Sequence, residues 1–141
     1  MRKPQPPEAA FVNAASHRLL VVDDSNVIRR RIERATELPG IEFVGAARNG
    51  IEALEMHAQL RPTLVTMDLT MPEMDGAECV AQLVARDPGI LILVISALAD
   101  KLTAIEALEQ GASGFLCKPF TDRQLNDALR KLVERAAGGQ P

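Results

Sequence analysis

Short runs of aliphatic residues alternate along the chain with longer segments in which apolar residues recur every three to four positions. The short runs are rich in Val, Ile and Leu, which is typical of buried strands. The longer segments have the period of helices that bury one face. We predict five strand–helix units, with strands at 18–22, 41–46, 64–67, 91–95 and 114–117, and helices at 26–37, 50–59, 76–86, 100–110 and 122–136.

Turn residues separate these segments. "LPG" at 38–40, Pro62 and "DPG" at 87–89 each lie between two periodic stretches. The last helix also has a start signal, because Thr121 and Gln124 have the spacing of a capping box.

The alternation of strands and helices predicts an α/β fold with a doubly wound, five-stranded parallel sheet in the order 2-1-3-4-5. We expect residues 17–136 to form this single domain. The Pro-rich stretch at 1–16 and the tail at 137–141 are expected to be disordered extensions.

Composition narrows the classes of function. The chain has 141 residues, of which 47% are apolar. Its net charge of −3 gives no overall positive electrostatic potential that would attract nucleic acid or anionic lipid. No apolar stretch near the start suggests a signal peptide or membrane insertion, and a cytoplasmic protein is expected. Cys79 and Cys117 are predicted to be plain buried thiols, and His17 and His57 to be surface residues without metal-ligand spacing.

Polar side chains lie where the predicted strands end. Asp23 and Asp24 follow the first strand, Asp68 the third, Ser96 the fourth and Lys118 the fifth. In a sheet of this order, ligands bind outside the carboxyl ends of the first and third strands. We therefore expect these five groups to converge on one crevice.

Three neighbouring carboxylates repel one another and raise each other's pKa unless a cation compensates. Oxygen ligands of this kind favour Mg²⁺, which usually keeps positions open for water and phosphate oxygens. The sequence therefore predicts a Mg²⁺ site that receives a phosphoryl group.

These residues resemble the receiver domain of two-component response regulators. The resemblance covers residues 18–136 and rests on "VVDDS", "MDLTMPEMDG", "VISA" and "GASGFLCKPF", which stand in the family's order. It implies a flavodoxin-like fold in which Asp68 is the phosphoacceptor and Lys118 contacts the phosphoryl group. It also implies that Ser96 is the switch hydroxyl and Phe115 the switch aromatic.

The same resemblance implies the ligands of the metal. Asp23, Asp24 and Asp68 would hold Mg²⁺ together with the backbone carbonyl of Thr70. A cis bond between Lys118 and Pro119 would aim the amine into the crevice.

Partners and output also follow from the resemblance alone. The phosphodonor would be a histidine kinase or a histidine phosphotransfer protein. A downstream protein would bind the face made by the fourth helix, fifth strand and fifth helix, where a dimer could also form on phosphorylation. Such a receiver catalyses only its own phosphorylation and slow dephosphorylation, so it is not an enzyme with a separate substrate.

Several alternatives remain open. The chain is similar to the stand-alone receivers of chemotaxis, but it could be a receiver fragment of a longer regulator or a phosphorelay intermediate. An aspartyl-nucleophile phosphatase of the haloacid dehalogenase type would need a second Asp at the position of Thr70. Dinucleotide-binding and P-loop enzymes would need glycine motifs where this chain has "DDSNVI".

Two local features have simpler structural interpretations. Asp24 or Ser25 would cap the first helix whatever else it does. The run "RRRIER" at 29–34 is typical of a solvated helix face, on which Arg29 and Glu33 would form an ion pair four residues apart.

Overall fold

The structure, a computed structural model, describes residues 17–71 and 75–137. Five strands and five helices alternate along the described chain. In order they are β1 (His17–Val22), α1 (Asn26–Ala35), β2 (Ile41–Ala47), α2 (Gly50–Leu60), β3 (Leu64–Asp68), α3 (Gly76–Arg86), β4 (Leu91–Ala97), α4 (Lys101–Glu109), β5 (Gly114–Lys118) and α5 (Asp122–Ala137), with a 3₁₀ turn at Leu98–Asp100 before α4. The predicted extension at 1–16 and positions 138–141 of the predicted tail lie outside the described residues, whereas Ala137 ends α5.

All five strands are parallel and lie in the order β2-β1-β3-β4-β5. The predicted fold class and strand order are therefore confirmed. Because each parallel connection passes over a face of the sheet, both faces are covered by helices and the strands are apolar on both sides.

Two apolar layers enclose the sheet. One layer packs α2, α3 and α4 against one face, and the other packs α1 and α5 against the opposite face. Strand residues alternate between the two layers, as the two-residue period of a strand requires. In β1, for example, Leu19 and Val21 belong to the α1/α5 layer, and Leu20 and Val22 to the other.

Helix α1 ends two residues earlier than its apolar period predicts. Thr36 has an extended backbone, and the side chain of Asn126 in α5 hydrogen-bonds to the backbone on either side of it. Its Nδ2 donates to the Ala35 carbonyl at 2.8 Å, and its Oδ1 accepts from the Glu37 N–H at 2.9 Å. A single side chain from the last helix thus satisfies two backbone groups that the first helix leaves unpaired.

The strands after β1 extend further at their carboxyl ends than predicted, and the extra residues are polar or small. Asp68 pairs with Ile95 at the end of β3, and Lys118 pairs with Ala97 at the end of β5. These two residues of the predicted crevice are therefore held by the sheet itself, which gives them a firmer backbone than a loop would.

Candidate functional site

Three carboxylates converge beyond the ends of β1 and β3. One oxygen each from Asp23, Asp24 and Asp68 lies within 4.8 Å of the others. Asp23 and Asp68 are buried, whereas Asp24 is exposed to solvent. The predicted convergence of these three side chains is what the structure shows.

Lys118 joins this cluster from the end of β5. Its Nζ lies 3.3 Å from Asp68 Oδ1 and 3.7 Å from Asp23 Oδ2. The bond from Lys118 to Pro119 is cis, as the resemblance implies. The ammonium thus stands between the two buried carboxylates and offsets part of their repulsion.

The two oxygens of Asp68 have different surroundings. Oδ1 accepts from the Thr70 N–H at 3.2 Å, from Thr70 Oγ1 at 3.1 Å and from Lys118 Nζ at 3.3 Å. Among the described residues, no donor bonds to Oδ2. The carboxylate is therefore held in one orientation by one oxygen, and the other oxygen is left without a donor from this part of the chain.

The surroundings of Asp23 disfavour its charged form. Burial raises the pKa of Asp23 above its ordinary value, and the Asp68 and Asp24 carboxylates raise it further. The Ser25 N–H, which donates to Asp23 Oδ1 at 2.8 Å, and the Lys118 ammonium oppose this shift without cancelling it. A set of three close carboxylate oxygens that one ammonium does not neutralise fits a hard divalent cation such as Mg²⁺.

Ser96 lies in β4 and Phe115 in β5, and the Ser96 hydroxyl bonds to a carbonyl of its own strand and not to Asp68. Ser96 is fully buried, and its hydroxyl donates to the Ala97 carbonyl at 3.2 Å. Phe115 pairs with Val94 in the sheet, and 39% of it is exposed. The serine hydroxyl therefore has a weak local partner, and the aromatic residue is partly open to solvent.

The arginine-rich run of α1 is more than a solvated face. Arg29 donates to the Asp23 carbonyl at 2.7 Å and to Asn26 Oδ1 at 3.2 Å, so the expectation of an ion pair with Glu33 was wrong. Ser25 caps the helix by accepting from the Ile28 N–H. Arg29 was missed as a site residue because a charged run on a helix says nothing about which member reaches the backbone of the preceding loop.

The prediction for His57 was also wrong. It is buried in α2, where its Nε2 lies 3.5 Å from Asp87 Oδ2 at the end of α3, so it is not a surface residue. Of the two thiols, Cys79 is fully buried as expected, whereas Cys117 is only partly buried.

The sequence matches the family of the response regulator receiver domain over residues 19–130. The chain belongs to this family. The receiver is thus a member of a family of two-component signalling proteins, and the predicted family is confirmed.

Two relatives and one solved structure illustrate the match. The receiver is 38% identical to the chemotaxis protein CheY of Listeria monocytogenes over 117 residues, which are 83% of this chain and 98% of the relative. It is 44% identical to a protein-glutamate methylesterase/protein-glutamine glutaminase of Alkalilimnicola ehrlichii, covering 86% of this chain but only 33% of that protein. The response regulator domain of Thermotoga maritima CheB superposes with a TM-score of 0.75 at 32% identity, over 89% of this chain and 98% of that one.

Among the described residues, the helices are too short or too polar to span a membrane. Within residues 17–71 and 75–137, none combines the length and the apolar character needed to cross a bilayer.

Proposed function

We propose that this receiver is a cytoplasmic switch that accepts a phosphoryl group on Asp68 from a histidine kinase or a histidine phosphotransfer protein. The observation that carries the proposal is the unequal environment of the Asp68 carboxylate. Oδ1 is held by Thr70 and Lys118, whereas Oδ2 has no donor from the described residues. Oδ2 is therefore the oxygen that we expect to attack phosphorus.

The surrounding groups suit phosphoryl transfer, in which the protein mainly positions reactants and neutralises charge. Lys118 is a compact cation placed to contact a phosphoryl oxygen as well as Asp68. Asp23, Asp24 and Asp68, with the backbone carbonyl of Thr70, would hold Mg²⁺, which would neutralise negative charge on the phosphoryl oxygens. Thr70 also fixes the orientation of the Asp68 carboxylate through its N–H and hydroxyl.

The test of the phosphoacceptor uses a small-molecule donor, so that no cognate kinase is needed. Acetyl phosphate or phosphoramidate with Mg²⁺ should label the protein with an acid-stable, base-labile phosphoryl group, and Asp68→Asn should not be labelled. Asp127→Asn is the matched control, because it changes a partly exposed carboxylate on α5 that pairs with Arg130 outside the cluster, and it should be labelled like wild type. Equal labelling of the Asp68 variant would overturn the assignment.

The metal proposal has its own readout. Mg²⁺ at millimolar concentration should raise the melting temperature of the wild type, because a ligand that binds only the folded state stabilises it. Asp24→Asn should lose much of this dependence while Asp127→Asn keeps it. A melting temperature of the wild type that does not respond to Mg²⁺ would argue against the site.

We further propose that Ser96 and Phe115 carry the signal to the surface. In a parallel sheet, residues paired across strands face the same side, and so do residues two apart along a strand. Phe115 pairs with Val94, two residues before Ser96, so both proposed switch residues face the α4 side of the sheet. If Ser96 turns from the Ala97 carbonyl toward a phosphoryl group, the space it leaves would favour an inward rotation of Phe115.

The surface beside Phe115 is unusually apolar for an exposed face. Leu98 and Leu102 are 72% and 82% exposed, and Ile105 and Leu108 continue the row along α4. This row supports the proposal that a downstream protein, or a second phosphorylated receiver, binds the face made by α4, β5 and α5.

The switch proposal is tested with beryllofluoride as a stable phosphoryl mimic. Ring signals of Phe115 should shift on addition of beryllofluoride in wild type, and much less in Ser96→Ala. The Ser96 variant should still be phosphorylated by acetyl phosphate but should gain no affinity for its target or for itself. Identical Phe115 signals in both states of the wild type would mean that the signal leaves by another route.

A second candidate is that this receiver controls an attached output domain. The observation favouring it is the identity of 44% to the matched third of a methylesterase, which exceeds the 38% to a CheY protein. Sequencing the gene beyond the codon for Pro141 decides between the two. A following effector domain would support the second candidate, and a stop codon at that point would contradict it.

A further inference from the structure

Arg31 binds the segment that follows the site lysine. Its guanidinium lies over the ring of Phe120, with 4.5 Å between Cζ and the ring centroid, and Nη2 donates to the Phe120 carbonyl. The same Nη2 lies 3.4 Å from Asp122 Oδ1 at the start of α5. Because both members of this ion pair are partly exposed, we expect the stacking and the carbonyl bond to matter more than the pair.

This segment connects Lys118 to α5, and Arg31 contacts its middle. Lys118 is held by its carboxylates at one end. At the other end, Thr121 and Gln124 form the predicted capping box, with reciprocal bonds of 2.9 and 3.0 Å. Between them, the Phe120 ring is buried against α5, and Arg31 is the described side chain that bonds to its carbonyl.

Helix α1 therefore contacts the backbone on both sides of the carboxylate cluster, through one arginine on each side. Arg29 bonds to the carbonyl of Asp23 on the β1 side, and Arg31 bonds to the carbonyl of Phe120 on the β5 side. Phe120 is two residues from Lys118, so a shift of this carbonyl changes the path of the backbone from which the lysine side chain extends.

We propose that Arg31 is a positioning residue for phosphoryl transfer, which sets the place of the Lys118 ammonium relative to Asp68 by holding the β5–α5 connection. The expected effect on the rate of phosphorylation rests on the proposed function, whereas the expected effect on the position of the Lys118 ammonium does not. Arginine suits the task because its planar guanidinium can stack on a ring and donate to a carbonyl at once, whereas a lysine ammonium cannot stack in this way.

The first measurement reads the lysine directly, without phosphorylation. The ¹⁵N signal of the Lys118 ammonium, assigned by its absence in Lys118→Ala, should move in Arg31→Met and stay in place in Arg30→Met. Arg30 is an exposed neighbour on the same helix for which the described residues provide no hydrogen bond or ion pair, so its variant removes the same charge without the contact. An unmoved Lys118 signal in Arg31→Met would overturn the proposal.

The second measurement is a double-mutant cycle on the rate of labelling by phosphoramidate with Mg²⁺. Arg31→Met should slow labelling roughly tenfold, less than the ~100-fold that a 1 Å misplacement can cost. If Arg31 acts through the lysine, the same substitution should have no further effect in the Lys118→Ala background. An equal tenfold loss in both backgrounds would show a general structural effect and would overturn the positioning role.

Two further comparisons separate the positioning role of Arg31 from a folding defect and from the proposed function. Arg31→Lys, which keeps the charge but not the planar stacking group, should fall between wild type and Arg31→Met, and it serves if the Met variant does not fold. A wild type that is never labelled would refute the proposed function, while the Lys118 signal would still decide whether Arg31 positions the amine.

Discussion

Gly76, the first residue of α3, is expected to tolerate no side chain because of its approach to the site strand. A Cβ built on Gly76 would lie 2.7 Å from Leu69 Cα and 3.1 Å from the Asp68 carbonyl oxygen. These are backbone atoms, so no rotamer change relieves the contact, and either α3 or the end of β3 must move. The φ angle of Gly76 is not in the left-handed region, so the contact is the constraint and the backbone conformation is not.

The change in the free energy of unfolding on replacing Gly by Ala is the sum of two opposing effects. Overpacking a close contact typically costs about 1–3 kcal/mol. Replacing Gly by Ala elsewhere in a compatible backbone stabilises by about 0.4–1 kcal/mol, because the unfolded chain loses freedom. Gly89 supplies the matched case, since its Cβ would meet nothing nearer than Asp87 Oδ1 at 3.9 Å. We expect Gly76→Ala to lower the free energy of unfolding and Gly89→Ala to raise it.

Urea unfolding followed by circular dichroism measures both variants, with equal slopes as the check that the transition is unchanged. Gly76→Ala should also slow phosphorylation by acetyl phosphate, because its contact displaces the backbone of Asp68, whereas Gly89→Ala should not. Equal stabilities for the two variants would refute the reasoning, since the added methyl group is the same and only its surroundings differ.

Three further predictions concern other parts of the fold. Thr66→Val should stabilise the protein by about 1 kcal/mol in urea unfolding, because the buried Thr66 hydroxyl has no hydrogen-bond partner among the described residues. Thr63→Val should destabilise it, because the Arg18 N–H would lose the Thr63 hydroxyl as its acceptor. Burial raises the pKa of the Cys79 thiol to about 12, so a native titration with Ellman's reagent near pH 8 should find only Cys117 reactive and a denatured one should find two thiols. Arg61→Gly should raise the free energy of unfolding by about 0.5–1 kcal/mol, measured by the urea midpoint, because Arg61 ends α2 with a φ of 53°.

The fold was predictable from the sequence because its signals are local. Runs of Val, Ile and Leu identify the strands, and the residues that end them, such as Asp23 and Asp68, identify the edge where a parallel sheet places its site. Helix ends were less predictable. The end of α1 depends on Asn126, a residue some ninety positions away, and no local pattern contains that contact.

The site was predictable in part for the same reason. The carboxylates and Lys118 lie at strand ends, which sequence order reveals. The two arginines of α1 bond to backbone carbonyls that only three-dimensional proximity identifies, whereas the Thr70 hydroxyl bonds to Asp68 two positions before it. Burial of His57 escaped prediction because a single polar residue on a helix carries no sign of which way it faces.

The bonds that hold α1 have a consequence for how the protein is made. Asn126 lies 91 positions after Ala35, and Phe120 lies 89 positions after Arg31. On the ribosome, the first helix therefore emerges long before Asn126, which caps its end, and Phe120, which binds Arg31. Until residues 119–137 leave the ribosome, the apolar side of α1 lacks α5, and Arg31 lacks the ring and carbonyl of Phe120. Docking of the last helix is thus the step that completes both the core layer and the geometry around Lys118.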